Sequence, residues 1–113
     1  MTALLPRTEA PDFRITGAAV DDELVGTLAG EVDLSSRERI SQFVALEVDA
    51  CPGTLVIDLA AVTFVDSTGL SLLIRAHDTV TAHGGRVVVR HANAQFRRLL
   101  AITGVDRVVA VEP

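Results

Sequence analysis

The chain contains no lysine, tryptophan or tyrosine, and it has only one cysteine and four phenylalanines in 113 residues. The single Cys51 excludes an internal disulfide and a cysteine-based zinc site. Without lysine, no phosphate-binding loop of the Gly-x-x-x-x-Gly-Lys type is possible. Because hydrophobic residues still make up 49% of the chain, we expect a folded core built mainly from Val, Leu, Ile and Ala.

Positive charge is also scarce, since 15 acidic residues face 10 basic ones and the net charge is -5. This balance argues against general binding to nucleic acids or to anionic membranes, which need a clustered basic surface. No apolar run reaches the ~18 residues of a membrane span. Pro6, Arg7 and Glu9 stand where a signal peptide needs an apolar stretch. We therefore expect a soluble cytoplasmic protein with no nucleic-acid or membrane partner.

The hydrophobic pattern predicts one α/β domain. Strand-like runs occur at 13–20, 23–29, 54–59, 86–90 and 108–111. Helical patterns begin near Ser35, Leu70 and Asn93. Alternation of this kind implies a mainly parallel or mixed sheet of about five strands, flanked by three to four helices. Residues 1–11 contain two prolines and no periodicity, so we predict a flexible arm there and the domain at 12–113.

Local signals place the helix ends. Ser35 with Glu38 three residues later predicts a capping box at the start of the first helix. Pro52-Gly53 predicts its end, because proline cannot continue a helix. Gly84-Gly85 predicts the turn after the second helix, and Asn93 predicts the cap of the third.

The segment Asp66-Ser67-Thr68 stands where the third strand passes to the second helix, so Ser67 is expected at or next to the N-cap. Ser, Thr and Asp are favoured there simply because their oxygens accept the unpaired N–H groups of the first turn. A second interpretation is that Ser67 is a phosphorylation site, because a helix N-terminus tolerates an added phosphate.

An acidic neighbour is expected near Ser67. The loop 30–33 follows the second strand, and 62–67 follows the third. If these strands are parallel neighbours, Asp33 and Ser67 lie at the same edge of the sheet, where sites of open α/β sheets form.

An enzyme is disfavoured by the residues themselves. The segment 65–69 lacks the first glycine of a Gly-x-Ser-x-Gly nucleophile elbow. His77 lies roughly 15 Å along the helix from Ser67 at 1.5 Å per residue. His91 follows the next strand and has no evident orienting acid, and Asp58 is interpreted as a hydrogen-bonded aspartate near a strand end. The chain has no His-x-x-x-His spacing, which would indicate a metal site. From these residues together we expect no catalytic residue, metal or cofactor.

Three segments together resemble the STAS domain family, and most closely its bacterial anti-sigma factor antagonists. These segments are Gly30-Glu31-Val32-Asp33, Val56-Ile57-Asp58-Leu59, and Val62-Thr63-Phe64-Val65-Asp66-Ser67-Thr68-Gly69-Leu70. The resemblance covers the chain from Phe13 onward.

The resemblance implies a partner-switching function. The unmodified protein would bind an anti-sigma factor that is also an ATP-dependent serine kinase, and so release a sigma factor. The kinase would phosphorylate Ser67 and a serine phosphatase would reverse the reaction, with Thr68 as the weaker alternative acceptor. Asp33, Asp66, Thr68 and Gly69 would contribute to the partner surface. The alternative is a phosphoregulated STAS subunit of a transport or stress-signalling complex.

Overall fold

The computed structural model describes residues 13–48, 50 and 53–112. The arm predicted at 1–11, the domain boundary predicted at residue 12, and the helix end predicted at Pro52 all lie outside these residues. Among the helices that the structure describes, none combines the length and the apolar character that crossing a bilayer demands.

Within the described residues, five strands and three α-helices follow one another, and a helix separates each strand from the next after the second strand. The strands are β1 (Arg14–Val20), β2 (Glu23–Val32), β3 (Thr54–Val65), β4 (Arg86–Arg90) and β5 (Ala110–Val111). The α-helices are α1 (Arg37–Phe43), α2 (Ser67–Thr81) and α3 (Ala94–Thr103). A 3-10 turn, Leu34–Ser36, precedes α1, a π-helical turn, Val44–Val48, continues it, and a second 3-10 turn, Val105–Arg107, follows α3.

The strands form one sheet in the order β1-β2-β3-β4-β5. The β1–β2 pair is antiparallel and the three remaining pairs are parallel. The predicted mixed sheet of five strands with flanking helices is therefore confirmed. Each parallel crossover steps in the same direction, so right-handed connections bring all three helices to one face of the sheet.

The core lies between that face and the helices. Alternate strand residues such as Leu28, Ile57 and Val89 are fully buried there, together with Leu73 of α2 and Leu100 of α3. Alternate residues of a strand point to the same face of the sheet, and here these aliphatic side chains pack against the apolar faces of the helices. The helices are thus fixed to the sheet, and their first turns are held at the ends of the parallel strands.

Strands β2 and β3 are longer than the sequence predicts. Their pairing continues from Gly30 opposite Val62 to Val32 opposite Val65, through two register shifts. Bulges of this kind let pairing persist where side-chain alternation is interrupted. Residues 62–65 are therefore strand and not loop, and α2 begins at Ser67, three residues before the predicted start.

The start of the first helix differs from the predicted Ser35–Glu38 capping box, which is wrong. Asp33 caps the 3-10 turn that leads into α1: its Oδ1 accepts the Ser35 N–H at 2.9 Å, and its own N–H donates to the Ser36 Oγ at 3.0 Å. The cap is two residues earlier than predicted, because Asp33 accepts the Ser35 N–H and so places Ser35 inside the turn. The predicted Asn93 cap is confirmed, since its Oδ1 accepts the Phe96 N–H at 2.8 Å.

Candidate functional site

Ser67 is the first residue of α2, and its side chain is exposed. The residue before it caps the helix, because the Asp66 Oδ1 accepts the Thr68 N–H at 2.7 Å. The Ser67 hydroxyl is consequently not needed for capping. This arrangement places a hydroxyl at the sheet edge, next to the N-cap, where the sequence predicts it.

Asp33 and Ser67 lie at the same edge of the sheet, as predicted. Val32 pairs with Val65 in parallel register, and the Asp66 N–H donates to the Val32 carbonyl at 3.1 Å. Asp33 follows the first of these strands directly. Its Oδ1 also accepts the Ser35 hydroxyl at 2.6 Å, so the carboxylate is held in its own turn.

Gly69 contributes to this region by packing. It is buried, and a Cβ at this position would lie 2.4 Å from the Val65 Cγ2 and 3.4 Å from the Phe96 Cζ. Glycine thus lets the first turn of α2 approach β3 and α3 closely. Among the residues predicted for the partner surface, Asp33, Asp66 and Thr68 are partly exposed and Gly69 is not.

A groove of about 560 Å³ opens between α1 and α2 beside Ser67. Its lining residues come from both helices and from the turn before α1: Leu34, Arg37, Ile40, Ser67, Thr68, Ser71, Leu72, Ile74 and Arg75. Leu34 and Ile74 are exposed apolar side chains, at 69% and 46% of their surface. This groove was not predicted from the sequence. The i, i+4, i+8 spacing of Ser67, Ser71 and Arg75 is the signal that places them on one helix face.

A second polar cluster surrounds Asp58. Its Oδ1 lies 3.0 Å from the His91 Nδ1 and accepts the Ala60 N–H at 3.0 Å. His91 reaches it from a left-handed turn, at φ 63°, just after β4. The expectation that His91 has no orienting acid is therefore wrong. Asp58 is hydrogen-bonded as predicted. It does not lie near the end of β3, but its pairing with Arg90 is the last between β3 and β4.

This cluster is remote from Ser67. β3 continues from Asp58 to Val65, which is roughly 20 Å at 3.2–3.4 Å per residue. His91 is thus not placed to take a proton from the Ser67 hydroxyl. In the part of the chain that the structure describes, no three His, Cys, Asp or Glu side chains gather as metal ligands do.

The environment of Asp58 lowers the pKa of its carboxyl group. Burial raises the pKa of this carboxyl, but the hydrogen bonds from Ala60 and His91 and the charges of His91 and Arg90 outweigh burial and lower the pKa below its usual value. A carboxylate with a lowered folded-state pKa stabilises the fold above its unfolded pKa of about 3.9, and this stabilisation is lost as pH falls through the lower folded value.

We expect Asp58→Asn to be less stable than the parent at neutral pH, and the difference to narrow below about pH 4. Chemical unfolding of both proteins at several pH values between about 7 and 3 measures this difference. Asp78→Asn, on the exposed surface of α2, is the control for loss of one negative charge. A difference that stayed constant down to pH 3 would contradict the role of the ionised carboxylate.

Comparison with known proteins identifies the family. A family model described as the Mlab, STAS domain matches residues 15–111. The chain belongs to the STAS domain family. The anti-sigma-F factor antagonist RsfB of Mycobacterium tuberculosis is 30% identical over 99 residues, which cover 87% of this chain and 80% of that protein. The anti-sigma-B factor antagonist of Listeria monocytogenes is 29% identical over 87 residues, 75% of each chain.

Among solved structures, an anti-sigma factor antagonist from Mycobacterium paratuberculosis superimposes with a TM-score of 0.78 at 30% identity. The match covers 94% of this STAS chain and 91% of that one. The resemblance drawn from the three sequence segments is thus confirmed at the level of family and fold.

Proposed function

We propose that this STAS domain is an anti-sigma factor antagonist. Its unphosphorylated form binds an anti-sigma factor, which then releases a sigma factor for transcription. The proposal is supported by relatives that carry this function in their names, two of them 30% identical over most of both chains. It makes the protein a regulatory binding partner in the cytoplasm and not a catalyst.

Phosphorylation of Ser67 switches this binding off. The kinase is the ATP-binding anti-sigma factor itself, and a serine phosphatase restores the unmodified protein. The observation that carries the assignment is that Asp66, and not Ser67, caps α2. The exposed Ser67 hydroxyl is therefore available for modification. A phosphate added there leaves the cap intact, so the modification changes the surface and not the fold.

The partner docks on the edge around Ser67. The partly exposed Asp33, Asp66 and Thr68 lie at the same edge of the sheet as the hydroxyl, and the groove beside it presents Leu34 and Ile74. Exposed apolar side chains rimmed by polar groups are typical of protein-binding surfaces. The same surface therefore serves both docking and modification.

The alternative function is that of a phosphoregulated STAS subunit in a transport or stress-signalling complex. Capture of partners from cells distinguishes the two. A small ATP-binding kinase among the captured proteins supports the first function, and transporter subunits support the second.

The assignment of Ser67 is tested by substitution. We expect Ser67→Ala to abolish phosphate incorporation by the captured kinase while it preserves kinase binding, because only the acceptor oxygen is removed. Mass spectrometry of the peptide that contains Ser67, from cells and from the kinase reaction, measures incorporation. Ser71→Ala, one turn later in the same groove, is the matched control and should leave incorporation unchanged. Undiminished incorporation in Ser67→Ala, with phosphate on Thr68 instead, would remove the assignment.

A further inference from the structure

The groove between α1 and α2 is lined by cations although the chain as a whole is acidic. Arg37 and Arg75 are the only charged residues among those that line it in the described part of the chain. The net charge of the whole sequence is -5. A groove with two guanidinium groups and three hydroxyl groups is suited to an anion, and Ser67 opens into it.

The geometry brings Arg37 towards Ser67. α2 begins two residues after Val65, and the 3-10 turn and α1 follow its partner Val32, so Arg37 and Ser67 start from the same edge of the sheet and line one groove. Neighbouring helices pack with their axes about 8–10 Å apart. α2 packs on the π-helical turn 44–48 at the far end of α1, and the first turns of the two helices contribute Arg37, Ser67 and Thr68 to the groove.

Arg75 lies deeper in the same groove. It is two turns after Ser67, about 12 Å along the helix axis at 1.5 Å per residue. One of its guanidinium nitrogens donates to the Ser41 Oγ at 3.1 Å, across the two helices. By contrast, Arg37 is exposed, and its guanidinium group donates no hydrogen bond to a side chain or carbonyl within 13–48, 50 and 53–112.

The start of α2 leaves few donors for a phosphate. The Thr68 N–H is already bound by the Asp66 carboxylate, and the Gly69 N–H donates to the Asp66 carbonyl at 3.0 Å. The Asp66 carboxylate also repels a second anion. A phosphate on Ser67 therefore needs donors from outside the first turn, and guanidinium groups bind phosphate through two parallel N–H bonds.

We propose that Arg37 binds the phosphate on Ser67 within this groove, with Arg75 as a second, more distant cation. The inference rests on the proposed function only in taking Ser67 as the modified residue. A phosphate held by Arg37 covers the entrance of the groove and neutralises the cation that the unmodified surface offers to a partner. Arg37 is thus a positioning residue of the switch.

The ionisation of the phosphate tests this binding directly. Phosphoserine is installed at position 67 of the full chain during synthesis, and its second pKa is measured by phosphorus-31 NMR titration. An adjacent cation favours the dianion, so we expect a pKa below the usual value of about 6. Arg37→Gln should raise this pKa by about half a unit or more, Arg75→Gln should raise it less, and Arg37→Lys should retain part of the effect.

Arg98→Gln is the control. Arg98 is exposed on α3 and does not line the groove, so this substitution removes one positive charge without changing the groove. Equal pKa values for Arg37→Gln and Arg98→Gln would overturn the proposal, and so would a larger shift with Arg75→Gln than with Arg37→Gln. Because the phosphoserine is installed without a kinase, this result does not depend on the proposed function. Absence of phosphate from Ser67 in cells would defeat that function alone.

Discussion

Phosphorylation of Ser67 is expected to weaken binding of the anti-sigma factor about a hundredfold, which corresponds to about 2.8 kcal/mol at 1.4 kcal/mol for each factor of ten. The phosphate adds about 1.5 to 2 negative charges at neutral pH. These charges are added to a residue that lines the groove, at the edge of the sheet that also carries Asp33 and Asp66. Like-charge contacts with acidic groups of a partner cost several kcal/mol at an interface.

The measurement is a calorimetric titration of the captured anti-sigma factor with protein that carries phosphoserine at position 67. The matched control is the same sample after phosphatase treatment, which should regain the affinity of the unmodified chain. Thermal unfolding of both samples checks the fold, and it should change little because the Asp66 cap is retained. Equal affinities before and after dephosphorylation would show that the phosphate does not control docking.

The fold follows closely from local patterns. Val87, Val88 and Val89 are β-branched residues in the strand predicted at 86–90, and the structure buries all three. Asn93 caps α3 as expected, because its side chain reaches only residues near in sequence. The extension of β3 to Val65 was not predictable in this way, since it depends on pairing with β2 through bulges.

The site was predictable only in its local part. The strand-to-helix junction places Ser67 and Asp66 correctly because both positions are determined within a few residues. Arg37 is separated from Ser67 by 30 positions, and the groove that they share exists only after β2 and β3 pair. The contact of His91 with Asp58 spans 33 positions and requires a left-handed residue, which the sequence around His91 does not signal.

The turn after α2 allows the sharpest test of the fold. The Gly85 N–H donates to the Val80 carbonyl at 3.0 Å, and the next residue, Arg86, donates to the Gly53 carbonyl at 3.3 Å. A Cβ on Gly85 would lie 2.1 Å from the Gly53 carbonyl oxygen and 2.6 Å from the Val80 Cγ1. Because one obstacle is backbone, rotation of a side chain does not relieve the clash.

We expect Gly85→Ala to destabilise the protein by about 2–3 kcal/mol, in the upper range for overpacking, and to lower the Tm by roughly 10 °C or more. Gly84→Ala is the matched control: a Cβ there has no neighbour within 4 Å, but the φ of +80° is strained for alanine. It should cost only about 1 kcal/mol. Urea unfolding of the two variants measures the difference in the free energy of unfolding. Equal losses of stability would mean that the backbone conformation of the glycines, and not the contact with Gly53, determines this turn. Since the turn lies at the opposite end of α2 from Ser67, the kinase should still modify folded Gly85→Ala, which separates stability from the switch.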